Sequence, residues 1–279
     1  MLRTLDTIDS FNNQQVVIRC DLNVPIDNGQ IQDAGRIKAA YATIDEVIAK
    51  NGRPVICSHL GRPEGEEDKY SLKPVFEYLQ KRYSNLEFKT LGNTSGDESA
   101  VILENLRFDA RETSKQESDR EQLAKLILGD ATHVVIDGFG VVHRKQASIY
   151  ELAKMAPSVA GRTVEQELTV LQKLTEAPKR PYTLVLGGSK VSDKLGVIDS
   201  LLPKVDKLLI GGGMMFTFLK ALGHDVGSSL LEADQLDTAK EYISRAEQLG
   251  VELVLPVDVK VASGFAADAE YENVRIENF

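Results

Sequence analysis

Short apolar runs alternate with helix-periodic segments along this chain, and that alternation restricts its fold more than any other feature. Residues 15–20 (QVVIRC) read as a strand. Residues 36–50 follow, with Ile37, Ala40, Tyr41, Ile44, Val47 and Ile48 at helical spacing. Residues 54–58 form a short buried strand, and Ser71 caps a helix running to about residue 82, with Pro74 accommodated in its first turn. Two more strands are predicted over 86–90 and 101–104, an amphipathic helix over 118–128 and a strand over 132–137. This repeated order predicts an α/β fold with a parallel, doubly wound sheet.

The character of the chain changes at residues 156–161 (APSVAG). A charged, well-patterned helix over 163–174 follows, then a short linker bracketed by Pro178 and Pro181. A second strand–helix series comprises strands over 182–186, 207–210 and 251–255 and helices over 190–202, 214–222 and 237–249. The reading is two domains, 1–160 and 161–279, joined by the 163–174 helix. The second offers three clear strands where sheets commonly have about 4–6, and the chain ends in a polar, irregular segment. No internal repeat or low-complexity segment is present.

Basic residues collect just past the apolar runs of the first half: Arg36, then His59 and Arg62, then Arg107, then His143 and Arg144. In an open parallel sheet the carboxyl ends of the strands face a common crevice, where ligands bind. The chain carries a net charge of −9, so a rim that gathers Arg and His is a local site for a small anion. The same acidic balance argues against general nucleic-acid binding, which needs a broad basic face. The N-terminus has no basic-then-apolar signal pattern. The longest uncharged apolar stretch, 208–219, falls far short of the roughly 20 residues a membrane span needs. Cys20 and Cys57 lie in apolar strands and read as buried core thiols in a reducing cytoplasm; with four scattered His they show no zinc-ligand spacing.

Four stretches carry candidate chemistry, three of them with a structural alternative. Asp21 and Asn23, in CDLNVP, either hold a turn or orient a polyhydroxy or carboxylate ligand. In SHLGRP, His59 and Arg62 flank Leu60 and Gly61 and either reach one ligand together or decorate a surface loop; Arg suits carboxylate and phosphate through its planar donor fork. Arg36, Arg107 and Arg144 are each surface charges if taken singly, and Arg107 is also within reach of a local pair with Glu104. In LVLGGSKVSDK, Gly187 and Gly188 open a turn before a helix start whose free N–H groups favour anions. Lys190 and Lys194, four apart, are expected on one helix face near bound phosphates; this is not a Walker A loop. In LLIGGGMMF, Gly211, Gly212 and Gly213 either pack strand against helix or offer a flat surface to an adenine. Phe216 spoils the dinucleotide fingerprint there, so a dehydrogenase reading ranks low. Met214, Met215 and Phe218 read as core.

Taken together, CDLNVP, the Arg36-Ile37 pair, SHLGRP, LENLRF, DGFGVVHR, LGGSKVSDK, IGGGMMFTFLK and LPVD resemble the phosphoglycerate kinase family, in family order and over nearly the whole chain. The resemblance implies two Rossmann-like, three-layer α/β domains with parallel sheets joined by a hinge helix, the second domain incomplete. It implies a cytoplasmic, monomeric glycolytic enzyme that moves a phosphoryl group reversibly between 1,3-bisphosphoglycerate and Mg-ADP, giving 3-phosphoglycerate and ATP. Asp21, Asn23, Arg36, His59, Leu60, Gly61, Arg62, Arg107 and Arg144 would bind 3-phosphoglycerate. Gly187, Gly188, Lys190, Lys194, Gly211, Gly212 and Gly213 would serve the nucleotide. Arg36 and Lys190 would neutralise charge on the phosphoryl group in flight. Hinge closure would exclude water. Ser189 stands where alanine is commoner in the family. The family's later Asp-Gly-Pro, Gly-Val-Phe-Glu and Gly-Gly-Gly-Asp-Thr stretches do not occur in the sequence. On that comparison the chain corresponds to roughly the N-terminal two-thirds of the family pattern. It is expected to bind 3-phosphoglycerate but to transfer phosphoryl groups poorly. The alternative is a non-catalytic short form that acts as a phosphoglycerate-binding or interaction module.

Overall fold

The centre of the first sheet is built from residues that tolerate burial on both faces. All of β1 (Gln15–Arg19) is buried, which suits a central parallel strand. The computed structural model describes residues 2–94, 100–262, 264 and 266–278. It divides into two compact units, Met1–Val170 and Leu171–Phe279.

In the first unit β1 leads to a hairpin of β2 (Ile26–Asp27) and β3 (Gln30–Ile31), then α1 (Gly35–Ala49) and β4 (Arg53–Cys57). Next come α2 (Lys73–Gln80), β5 (Glu87–Lys89), β6 (Val101–Leu103), α3 (Glu117–Leu128) and β7 (His133–Ile136). The series continues with α4 (Leu152–Met155), β8 (Ser158–Ala160) and α5 (Arg162–Glu176). The six-stranded sheet has the order β5-β6-β4-β1-β7-β8, and every pairing in it is parallel.

Alternation along the strands splits the core in two. Val16, Ile18, Ile56, Ile102 and Val135 pack with Ile37, Ile44, Val47, Val75 and Leu79 of α1 and α2. Val17, Val55, Val101, Leu103 and Val134 pack with Leu123, Ala124 and Ile127 of α3 and with Leu152 of α4. Helices therefore cover both faces of the sheet. The α1 stripe is narrower than its sequence period predicts: Tyr41 is half-buried and Ile48 is exposed.

Two elements of this unit differ from expectation. Residues 158–160, read as a domain break, form an edge strand in register with β7 (Val135↔Val159). Pro157 and Gly161 hide it in sequence, yet Val159 is buried in the core. The β2–β3 hairpin turns on Asn28 and Gly29 at φ 48° and 73°, the two-residue turn that an Asn-Gly pair favours.

The second unit carries β9 (Thr183–Leu186), α6 (Leu195–Leu201), β10 (Lys207–Ile210), α7 (Met215–Ala221), α8 (Leu236–Gln248) and β11 (Glu252–Val254). Its three-stranded sheet, β11-β10-β9, is parallel. Met214 and Phe218 are fully buried and Met215 nearly so, all in one core with Ile198, Leu208, Ile210 and Tyr242. The segment expected to be irregular contains an antiparallel pair, β12 (Asp258–Ala262) with β13 (Tyr271–Arg275); Phe279 lies outside the described residues. Among the described residues no helix is long and apolar enough to cross a membrane.

Candidate functional site

Four neighbouring strands of the first unit, β6, β4, β1 and β7, end at one edge of the sheet. Asp21 and Asn23 follow β1, His59 and Arg62 follow β4, Arg107 follows β6, and Arg144 follows β7. Parallel pairing thus gathers residues up to 123 positions apart in sequence (144 − 21) at one rim.

The loop after β4 is fixed by backbone bonding. Ser58 Oγ accepts from Leu22 N at 2.9 Å and donates to Cys20 O at 3.0 Å. The Asn105 side chain clamps Leu60: Oδ1 accepts from Leu60 N at 3.1 Å, and Nδ2 donates to Leu60 O at 2.8 Å. The Leu60 side chain itself is buried in the core. Gly61 donates its N–H to Asn23 Oδ1 at 2.9 Å, and its carbonyl accepts from Arg107 Nη1 at 2.6 Å. It holds φ +63°, and a Cβ there would meet the Tyr70 ring at 2.3 Å; only glycine fits. Of the two readings offered for Asp21 and Asn23, the turn is formed. Asp21 Oδ1 accepts from Asn23 N at 3.2 Å, which holds the turn. Asp21 also pairs with Arg36 Nη1 at 3.2 Å, and Asn23 O accepts from the same nitrogen at 3.0 Å. The Arg36 side chain remains 54% exposed.

The local pair between Arg107 and Glu104 is not formed. Glu104 instead accepts from Ser71 Oγ at 2.7 Å, Leu72 N at 2.8 Å and Asn105 N at 2.7 Å. It serves the start of α2, where Ser71 Oγ also accepts from Lys73 N, and Arg107 is left to face the rim.

Arg62, Arg107 and Arg144 line one cavity of about 330 Å³ together with Pro63, Thr113 and Gln146. Among the described residues no carboxylate lines it. Burial, then the neighbouring charges of Arg144, Arg19 and Arg62, lower the pKa of Arg107, and Glu112 offsets part of that; the net direction is that of a cluster in which positive charge predominates. Asp21 and Arg36 line a second cavity of about 320 Å³ with Asp137, Thr163 and Glu167 among its walls. His59 is 4% exposed. Its pKa is pulled down to about 2 by burial and then by the guanidinium groups of Arg19, Arg107, Arg144 and Arg36, so the ring is neutral. His143 is exposed and lines neither cavity.

Sequence reasoning missed several groups here. Arg19 is fully buried and reaches Ser148 Oγ at 2.7 Å and His59 Nδ1 at 3.2 Å. Glu112, also fully buried, accepts from Ser148 N and Oγ. Asp137, at the end of β7, accepts from Thr163 N at 2.8 Å and Thr163 Oγ1 at 3.1 Å, and burial raises its pKa to about 6. The one signal in sequence was Arg19, a charge set in an apolar strand. Cys20 and Cys57 are buried free thiols, with pKa values raised chiefly by desolvation.

In the second unit the helix expected over 190–202 begins later, and Lys190 does not belong to it. Val191 is drawn fully into the core, residues Ser192–Lys194 form a 3-10 turn, and α6 starts at Leu195. Lys190 is exposed in the preceding loop, so the shared helix face for Lys190 and Lys194 is not formed. The helix start is not open either: Glu232 accepts from Val191 N, Ser192 N and Ser192 Oγ. Lys194 runs back along the first glycine turn, its Cε 3.6 Å from where a Cβ on Gly188 would stand.

The two glycine turns touch. Gly212, at φ +63°, would put a Cβ 2.7 Å from Gly188 N, and Met214 N donates to Gly188 O at 2.9 Å. Gly213 lies against Ser189. Close packing thus accounts for Gly212 and Gly213. A Cβ on Gly211 would meet nothing within 4 Å, so its surface is open.

The family model described as phosphoglycerate kinase matches residues 5–279. The chain is 56% identical to a phosphoglycerate kinase of Leifsonia xyli over 281 residues, covering 97% of this chain and 70% of that one. It is 54% identical to one from Clavibacter sepedonicus, covering 99% and 71%. Among solved structures, phosphoglycerate kinase from Coxiella burnetii superposes with TM-score 0.83 at 36% identity, covering 99% of this chain and 72% of that one. The enzyme from Pyrococcus horikoshii gives TM-score 0.77 at 27% identity, covering 99% and 71%. The chain therefore belongs to the phosphoglycerate kinase family.

Proposed function

We propose that this chain carries phosphoglycerate kinase chemistry: reversible transfer of a phosphoryl group between 1,3-bisphosphoglycerate and ADP, giving 3-phosphoglycerate and ATP. The observation that carries the reading is the cavity lined by Arg62, Arg107 and Arg144 without a carboxylate. A phosphate there would supply the missing counter-charge through bidentate, charge-assisted bonds. Asp21, Asn23, Arg36, His59, Leu60 and Gly61 complete the proposed phosphoglycerate site, Leu60 and Gly61 through their clamped backbone. Gly187, Gly188, Lys190, Lys194, Gly211, Gly212 and Gly213 are the proposed nucleotide elements. Residues 1–160 would form the phosphoglycerate domain, and 161–279 the hinge helix with part of the nucleotide domain.

The chemistry asks for positioning and charge, not for a base. An ADP oxygen attacks the phosphorus of the acyl phosphate, and the P–O bond to the acyl group breaks. The leaving group is a carboxylate, which needs no proton at neutral pH. Charge on the phosphoryl group in flight would be met by Arg36 and Lys190. Among the described residues no cluster of three His, Cys, Asp or Glu side chains is placed to hold a metal ion. On the family grounds, Mg would arrive on the nucleotide phosphates and supply charge neutralisation there. A cytoplasmic, monomeric protein is proposed on the same family grounds.

The test is calorimetric titration with 3-phosphoglycerate. Saturable binding that weakens with salt and falls at least about tenfold in Arg107→Ala supports the site. Binding indifferent to Arg62, Arg107 and Arg144 alike would sink it.

A further inference from the structure

The two nitrogens of His59 have different surroundings. Nδ1 lies 3.2 Å from Arg19 Nη2. Nε2 has no hydrogen-bond partner among the described residues, yet it is not among their sealed, unpaired polar atoms; it is the open end of the ring. A guanidinium only donates. Nδ1 must accept, and the ring proton then belongs on Nε2.

Arg19 has no exposed surface, and each of its nitrogens is engaged. Nε donates to Ser148 Oγ at 2.7 Å, Nη1 to Cys20 O and Nη2 to His59. Ser148 is held in turn by Glu112, which accepts from its N–H at 3.0 Å and its hydroxyl at 2.6 Å. Burial raises the pKa of Glu112, and Arg19 first and the Ser148 bonds second oppose that rise. A carboxylate accepting twice from Ser148 also gives the buried arginine its counter-charge. The relay Glu112–Ser148–Arg19–His59 thus runs from the interior to the rim. A proton on Nδ1 would leave a buried guanidinium N–H without an acceptor. A second ring proton would face Arg19, Arg107, Arg144 and Arg36 at once.

We propose that Arg19 is a positioning residue: it locks His59 as the neutral Nε2–H tautomer, so that the ring offers the bound anion one fixed donor and takes no part in proton transfer. The identity of that anion rests on the phosphoglycerate reading; the tautomer does not.

Long-range proton–nitrogen NMR of the chain with labelled histidine tests the lock, the His59 signals being assigned by their loss in His59→Gln. The expected pattern is a proton on Nε2 alone, unchanged between about pH 5 and 8. A ring that titrates near the ordinary histidine value, or carries its proton on Nδ1, overturns the proposal. In Arg19→Met, His59 is expected to populate both tautomers and to titrate. A locked pattern persisting in a folded Arg19→Met removes Arg19 from the role. If that variant does not fold, Ser148→Ala decides: loosening of the His59 pattern supports the relay, and an unchanged pattern overturns it. Adding 3-phosphoglycerate should shift the Nε2–H resonance. A locked ring blind to saturating 3-phosphoglycerate would overturn the substrate contact while leaving the tautomer assigned.

Discussion

Arg36 differs from the other rim arginines in what already holds it. Its Nη1 is tied to Asp21 and to Asn23 O, while more than half of the side chain faces solvent. Arg62, Arg107 and Arg144 instead share a cavity with no carboxylate. Anion affinity should therefore rest on those three, with Arg36 free to act on charge that develops during transfer. In the native enzyme, Arg36→Ala is expected to lower turnover by about 100- to 1,000-fold, the usual loss for one transition-state donor, with a smaller change in 3-phosphoglycerate affinity. Lys194→Ala should weaken ADP binding and leave 3-phosphoglycerate binding unchanged. Steady-state kinetics paired with equilibrium titration separates the two, and equal loss of both ligands in both variants would mean the roles are misassigned. At this scale the sequence was informative wherever a basic residue stood just past an apolar run. It was silent on Ser148 and Glu112, because nothing local marks a hydroxyl and a carboxylate that meet across 36 residues.

Elements were legible where a periodic pattern ran for several turns, as in α1, α3 and α8. They were lost where tertiary bonding overrode the local pattern. Glu232, 41 residues beyond Val191, takes the N–H groups that would have opened a phosphate site, and burial of Val191 delays α6. β8 was obscured by flanking Pro and Gly, whereas the Asn-Gly signal for the β2–β3 hairpin was plainly present. The loop after β4 shows how an element can be specified by a single position. Gly61 combines a left-handed backbone with contact to Tyr70, so Gly61→Ala meets a conformational cost of about 1–2 kcal/mol and an overlap besides. A loss of about 2 kcal/mol or more is expected from the denaturation midpoint, together with weaker 3-phosphoglycerate binding. Adding Tyr70→Ala should restore the part due to overlap but not the part due to φ. No recovery at all would place the whole cost in the backbone.

The whole molecule sets a positive rim within a chain of net charge −9, and two buried groups in the first unit make its stability depend on pH in opposite senses. His59 titrates near 2 when folded against 6.5 as an ordinary histidine. Its folded pKa is depressed, so its contribution is complete above about pH 6.5 and is lost as pH falls. Asp137 titrates near 6 when folded against 3.8 as an ordinary aspartate. Its folded pKa is raised, so its contribution is complete below about pH 3.8 and is lost as pH rises through 6. Between about pH 4 and 6 each group approaches a slope of about 1.4 kcal/mol per pH unit, with opposite signs. Glu112, raised by burial, adds to the direction of Asp137. The two large effects should nearly cancel in the wild type, and removal of one should reveal the other. In His59→Gln, stability should rise as pH falls from about 6 to 4. In Asp137→Asn, which keeps an oxygen for Thr163 N–H, stability should fall over the same range. The slopes should differ by about 3 kcal/mol per pH unit at most. Hydrogen exchange of the β1 amides reads the opening free energy of this unit apart from the other. Parallel slopes in the two variants would show that neither buried group titrates where its surroundings place it.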